Sequence, residues 1–284
     1  MRLLILVAVL VSASACAQTG EKPSASEGDD RARRADSVVT SAPDVAGSEE
    51  TVDLVAGETP VALVIRTFGD SGADRVNFLN VHDNESTSVE AALDVARERG
   101  GRVVEMVHTG ERHLRFEVGG ETYEADPNRM FTDAGRGRTL ARESRDTEAA
   151  RTALAAFAEA VLDVYSRAPT AVVVALHNNT DENYSAASYL PGAVYESDAE
   201  AVTVHDGTDP DDFFFVTDRG LYDALVAEGF NAVLQDNEAA TDDGSLSVWA
   251  AREGVPYVNV EAQHGHRAEQ ARMIEALMDV LAAP

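Results

Sequence analysis

Residues 170–180 read TAVVVALHNNT, an apolar, β-branched run that breaks off at a histidine followed by two asparagines. A continuous run of this kind suits a strand buried on both faces, as in a parallel sheet with helices on either side. Open α/β sheets place their ligands just outside the carboxyl ends of such strands. His177 therefore stands where function is expected.

Working outward, FFFVTD (213–218), NAVLQD (231–236) and VPYVNVEA (255–262) read as further buried strands. Between them lie LYDALVAEG (221–229), SLSVWAAREG (245–254) and RAEQARMIEALMDVLAA (267–283), with helical spacing and caps. Upstream, VALVIRTF (61–68), VNFLNV (76–81) and RVVEMVH (102–108) read as strands, and DTEAARTALAAFAEAVLDVYS (146–166) as a long amphipathic helix. HLRFEV (113–118) and ETYEA (121–125) flank Gly119 and Gly120 and predict a hairpin. The strand–helix alternation predicts a single three-layer α/β/α domain with a mixed, mainly parallel central sheet. No internal repeat is visible.

Two other strands end in polar strings comparable to that at His177: VHDNE at residues 81–85 and VNVEAQHG at 258–265. Catalytic zinc is usually held by three His or carboxylate ligands, with a fourth position left for water. His82, Glu85 and His177 supply such a set, and two His with one Glu suit zinc among the divalent ions. One zinc per chain is the expectation. Glu261 is then free to take a proton from water and hand it to a leaving amine.

In these strings the chain resembles the zinc carboxypeptidase superfamily, and within it the succinylglutamate desuccinylase and aspartoacylase branch. That branch carries an H-G-N-E metal loop, a D/N-x-N-R-x-F string, an L-H-N-T-T string and a V-E-V-G-like strand. Here HDNE (82–85), DPNRMF (126–131), LHNNT (176–180) and VNVEAQ (258–263) follow in the same order. The resemblance, spanning roughly residues 60 to 280, implies that His82, Glu85 and His177 bind zinc and that Glu261 is general base and acid. It implies too that Asn128 and Arg129 grip a substrate carboxylate, which a guanidinium fork matches bidentately.

One departure matters. Desuccinylases carry an arginine shortly before the D-x-N-R string, to polarise the scissile carbonyl, whereas GGETYEADPNRMF (119–131) has Glu121 near that place. Arg115, Arg136 and Arg138 are equal candidates for the missing charge. Tyr184 and Tyr189 read as loop or packing residues. His264 and His266 begin the last helix and suggest capping or support of the site, with substrate contact as the sharper option. His108, His113 and His205 have no ligand spacing and read as structural or exposed.

The opening MRLLILVAVLVSASAC has a basic residue, a short apolar run and small residues up to the single cysteine, Cys16. The run is too short to span a membrane as a helix. It suggests a signal peptide over 1–15 and a lipid anchor on Cys16, hence an extracytoplasmic bacterial lipoprotein held to the membrane. Residues 16–50 are poor in large apolar side chains and read as a disordered tether. Residues 51–284 form the expected catalytic domain.

With 50 acidic residues against 23 Lys and Arg, the net charge is −27, and Lys22 is the one lysine. Nucleic acid is excluded as a partner by repulsion. The acidic excess suits high salt, where screening relieves self-repulsion; an unfolding midpoint that rises towards molar salt is the expected sign. The sequence thus points to a zinc-dependent amide hydrolase of the cell envelope, carboxypeptidase-like or deacylase-like. Its substrate would be a peptide or N-acyl amino acid bearing a carboxylate. The alternative is a catalytically inactive ligand-binding lipoprotein that retains the pocket, an option favoured by the unassigned arginine.

Overall fold

A computed structural model of the chain describes residues 46–69, 76–168, 170–181 and 183–283. The expected signal peptide, the expected lipid anchor at Cys16 and most of the expected tether lie outside these residues. No described helix is long and apolar enough to cross a membrane.

The strands are β1 (Gly47–Ala56), β2 (Thr59–Phe68), β3 (Asn77–Asn80), β4 (Gly101–Val107), β5 (Leu114–Val118), β6 (Glu121–Ala125), β7 (Val173–Asn179), β8 (Ala199–Thr203), β9 (Phe213–Val216), β10 (Asn231–Gln235) and β11 (Tyr257–Gln263). The helices are α1 (Ser86–Arg99), α2 (Asp133–Glu143), α3 (Glu148–Tyr165), α4 (Arg219–Ala227), α5 (Leu246–Glu253) and α6 (Arg267–Ala282). Nine strands form one mixed sheet in the order β1-β2-β4-β3-β7-β11-β9-β10-β8. Pairing is parallel through the centre, β4 to β3 to β7 to β11, and again between β9 and β10. It is antiparallel where β1, β2 and β4 meet, between β11 and β9, and between β10 and β8.

Strand alternation divides the core into two layers. Phe78, Val103, Val174, Leu176 and Phe214 pack on one face with residues of α1, α4 and α6. Their neighbours Leu79, Val104, Ala175, Phe213 and Phe215 pack on the other with residues of α3 and α5. Successive side chains of a strand point to opposite faces, so each central strand feeds both layers and must be apolar throughout. The result is a helix–sheet–helix sandwich.

The structure adds elements the sequence reading did not pick out. Strand β1 begins at Gly47, inside the stretch read as tether, and its acidic first half is exposed on the sheet edge. The other edge strand, β8, is half-buried, so neither edge shows an apolar run. Helix α1 buries an alanine-rich stripe, Ala91, Ala92 and Ala96, against the sheet. The hairpin of β5 and β6 stands apart as a second sheet, and Gly119 and Gly120, at φ 61° and 76°, make its two-residue turn. Both positions need positive φ, which glycine supplies without strain.

Candidate metal centre

Strands β3, β7 and β11 run in the same direction side by side, which brings their carboxyl ends to one edge of the sheet. His177 and Glu261 are register partners across β7 and β11, one strand spacing apart. His82 follows β3, and a turn closed by Glu85 N–H donating to the His82 carbonyl at 3.1 Å returns Glu85 to the same place. Glu85 also starts helix α1.

The three side chains meet. His82 Nδ1 is 2.9 Å from Glu85 Oε1, His177 Nδ1 is 2.9 Å from Glu85 Oε2, and the two Nδ1 atoms are 3.1 Å apart. All three residues are buried. Two imidazole nitrogens at that distance cannot direct lone pairs at each other unless a proton or a cation lies between them. Donors about 2.0–2.2 Å from one tetrahedral centre lie roughly 3.3–3.6 Å apart. The observed separations are slightly tighter, and the donor set fits a zinc ion.

The outer nitrogens are held as well. His82 Nε2 is 2.8 Å from Asp126 Oδ1, the carboxylate–histidine pairing that orients a metal ligand. The same Asp126 oxygen accepts from Asn128 N–H at 2.8 Å and caps the turn Pro127–Arg129. One carboxylate thus fixes both a ligand ring and the Asn-Arg turn. Asn128 Nδ2 lies 3.3 Å from His177 Nε2, and Asn128 Oδ1 accepts from Leu246 N–H at 3.2 Å. Arg129 donates to the Asn128 carbonyl at 2.9 Å and lies 3.4 Å from Asp243.

A backbone contact clamps this turn to the loop before α5. Phe131 N–H donates to the Gly244 carbonyl at 3.0 Å, and Gly135 and Gly244 touch so closely that a methyl on either would overlap the other's Cα. Gly244 also sits at φ 87°.

The electrostatics separate the acids. Burial pulls His82 down, but Glu85 and Asp126 outweigh it and raise the ring to about 9. Burial leaves His177 below its usual value despite Glu85. Burial favours neutral forms of Glu85 and Asp126, yet their histidine partners hold both well below the usual carboxylate range. Glu261 goes the other way: burial, then repulsion by Glu85, raises it to about 8, although Asn259 Nδ2 donates to its carboxylate at 2.9 Å.

Glu85, Asp126, Asn128, Arg129, His177 and Glu261 all line one cavity of about 630 Å³. Arg115, Arg136 and Arg138, expected beside the carbonyl, do not. Arg115 alternates with buried Leu114 and Phe116 and so points to solvent. Arg136 donates to the Met130 carbonyl at 2.9 Å, and exposed Arg138 donates to the Asp242 carbonyl. Of the arginines that line the cavity, Arg112, Arg129 and Arg142, sequence reasoning missed Arg112 and Arg142, and Arg112 is the one at the ligand acids. It bonds Glu85 Oε1 and lies 3.7 Å from Asp126 Oδ2. The expected position was just before the D-x-N-R string, but the β5–β6 hairpin doubles back and brings its two flanks, Arg112 and Asp126, together. GERH just before the first hairpin strand was the available signal.

The tyrosines and late histidines are also placed. Tyr184 and Tyr189 share a 2.6 Å hydrogen bond and line the cavity, so they are more than loop packing. His264 lines it too. His266 stands at the start of α6 without a side-chain cap bond; its ring turns instead to Asp212, at 3.0 Å. With Asp209 these two form a second trio of possible ligands among the described residues, Asp209 exposed and Asp212 and His266 half-buried.

No family of known proteins is matched by the sequence, and no curated protein matches it. Solved structures show a likeness in shape. A murein-tripeptide amidase from Escherichia coli O157 shares 15% sequence identity over 82% of this chain and 92% of its own, with a TM-score of 0.39. An aspartoacylase family protein from Mesorhizobium loti shares 15% over 84% of this chain and 67% of its own, at 0.42. Carboxypeptidase A from Helicoverpa armigera shares 9% over 84% and 68%, at 0.43. Likeness at these scores decides no chemistry, which rests on the residues of the cavity.

Proposed function

We propose that the chain is a zinc-dependent hydrolase of amide bonds, of the zinc carboxypeptidase type, acting on a peptide or N-acyl amino acid that bears a carboxylate near the scissile bond. The carrying observation is the junction of His82, Glu85 and His177 within mutual contact, beside Glu261, a buried glutamate whose carboxylate accepts from the Asn259 amide.

His82, Glu85 and His177 would hold the ion, and Asp126 keeps the His82 ring turned towards it. Zinc bound there supplies a Lewis acid and a positive charge, which polarise a carbonyl, bring the pKa of a water towards ~7 and favour the ionised form of Glu261. Glu261 accepts the proton of the attacking water at its carboxylate and delivers it to the departing amide nitrogen. Arg129 and Asn128 face the cavity from one stiff turn and receive the substrate carboxylate.

Arg112 completes the set. Here it is drawn to Glu85 and Asp126, two acids that a divalent cation would compensate. Released from them, its guanidinium is placed to donate to the carbonyl oxygen as negative charge develops there. Arg112 thus supplies a candidate for the charge whose absence favoured an inactive binding protein.

The expected address remains the cell envelope, with Cys16 as lipid anchor. Incorporation of labelled palmitate in a bacterial host, lost in Cys16→Ser, is the expected result; equal labelling of the variant would overturn it.

Elemental analysis after dialysis tests the centre. About one zinc per chain is expected in the wild type and none in His82→Ala or His177→Ala, with amide hydrolysis confined to the loaded wild type. A wild type that takes up no zinc sinks the hydrolase reading.

A further inference from the structure

The cavity continues past the catalytic edge. Along β11, Tyr257, Asn259 and Glu261 alternate with buried Val258 and Val260, so all three side chains face the same side and line the cavity. Asn259 is in register with Ala175 of β7 and Phe215 of β9. It precedes Glu261 by two residues, about 6.6 Å back along the strand from the catalytic edge. The small Ala175 leaves room beside it.

Asn259 is 6% exposed, its Nδ2 is committed to Glu261, and its Oδ1 has no hydrogen-bond partner among the described residues. Asn179, on β7 and also lining the cavity, shows the same pattern. Its Nδ2 donates to the Asp211 carbonyl at 2.6 Å, while Oδ1 has no partner. A buried acceptor without a donor is unfavourable, so the Asn259 oxygen on this arm calls for an N–H or O–H group from a ligand; Asn179, in register with Gln263, lies beyond Glu261 towards the carboxyl edge.

The surroundings narrow the ligand. Phe215, Tyr189 and Val248 give this arm an apolar lining that suits a methylene chain. Glu261, Asp198 and Asp243 are among the cavity acids, Asp243 lying 3.4 Å from the Arg129 guanidinium. Arg112 and Arg142 belong to the opposite side, where Glu143 beside Arg142 pairs with His113 ahead of β5.

We infer that this arm is a side-chain subsite for a substrate residue with an aliphatic stem and a terminal N–H donor, a protonated amine above all, received by Asn259 Oδ1. For the catalysed reaction this rests on the amide-hydrolase reading, and it makes the preferred substrates those with a lysine-like residue next to the scissile bond. The preference for the amine is a binding property and can be read without turnover.

The test is calorimetric titration of the zinc-loaded full chain with lysine, glutamine, norleucine and phenylalanine. Lysine is expected to bind at least about tenfold more tightly than norleucine, which has the same stem without the ammonium, with glutamine between them. In Asn259→Leu, folded by circular dichroism, the order should collapse or invert. Norleucine binding as tightly as lysine in the wild type, binding of none of the four, or an unchanged order in the folded variant overturns the subsite; the wild-type series alone decides if the variant does not fold. Hydrolysis of N-acyl norleucine in preference to N-acyl lysine would remove the subsite and leave the hydrolase. A lysine preference without any hydrolysis would do the reverse.

Discussion

Glu85 and Glu261 stand at the ends of two strand-to-loop transitions, both fully buried, both on one cavity, and they carry opposite charge states. Glu85 lies between two imidazoles and the Arg112 guanidinium, and it stays ionised far below the usual carboxylate range. Glu261 faces the same cavity with an asparagine amide as its hydrogen-bond donor, and its carboxyl is raised to about 8. Burial acts alike on both. Partners decide the difference, and it fits the proposed roles: the acid held ionised would be the ligand, and the acid poised near neutrality the one that exchanges protons.

Removing each acid in turn should break the comparison most sharply. Glu85→Gln should lose zinc altogether under dialysis that leaves the wild type loaded. Glu261→Gln should keep about one zinc per chain and lower kcat by ~10³-fold, within the usual range for a general base. Metal analysis beside turnover separates the two, and a Glu261→Gln protein that turns over normally would refute the assignment.

Arg112→Ala is expected to lower kcat/KM by ~10²-fold, mostly through kcat, with zinc retained. A change confined to KM would make Arg112 a binding group only.

The metal-free chain sharpens the contrast through pH. The Glu261 pKa is raised in the fold above its ordinary value of 4.5, so the neutral acid is favoured there. The fold bears no cost from this group below about pH 4.5; the cost grows as pH rises and is complete above about pH 8. Glu261→Gln should therefore stabilise the metal-free protein by a few kcal/mol at pH 8.5 and hardly at all at pH 4.5. Melting curves at the two pH values check it, and an equal gain at both would contradict the burial argument.

The smallest effects belong to the arginines turned away from both acids. Arg115→Ala and Arg138→Ala should change turnover less than about twofold, the level expected of exposed side chains remote from the chemistry. A larger loss on folded protein would mean that the hairpin or α2 reaches the substrate.

The central strands were readable because each is buried on both faces, which leaves a continuous apolar run that composition alone reveals. The edge strands β1 and β8 were not, since an edge strand needs no such run and β1 carries Ser48, Glu49 and Glu50. Helix α1 escaped for a related reason: alanines cover the sheet without marking a strong apolar stripe. Within the site, His82, Glu85, His177 and Glu261 were visible as polar strings ending strands. Arg112 was not, because its place depends on how a hairpin folds back.

What the amino-acid sequence determined by itself is the sandwich core and which polar groups stand at strand ends, since both follow from local pattern and the two-residue period of a strand. What only the tertiary structure decided is which arginine enters the cavity, which glutamate is charged, and which asparagine oxygens are left without donors. Those depend on distances between segments far apart in the chain, and electrostatic and hydrogen-bonding free energies are set by such distances and by burial, which no stretch of sequence contains.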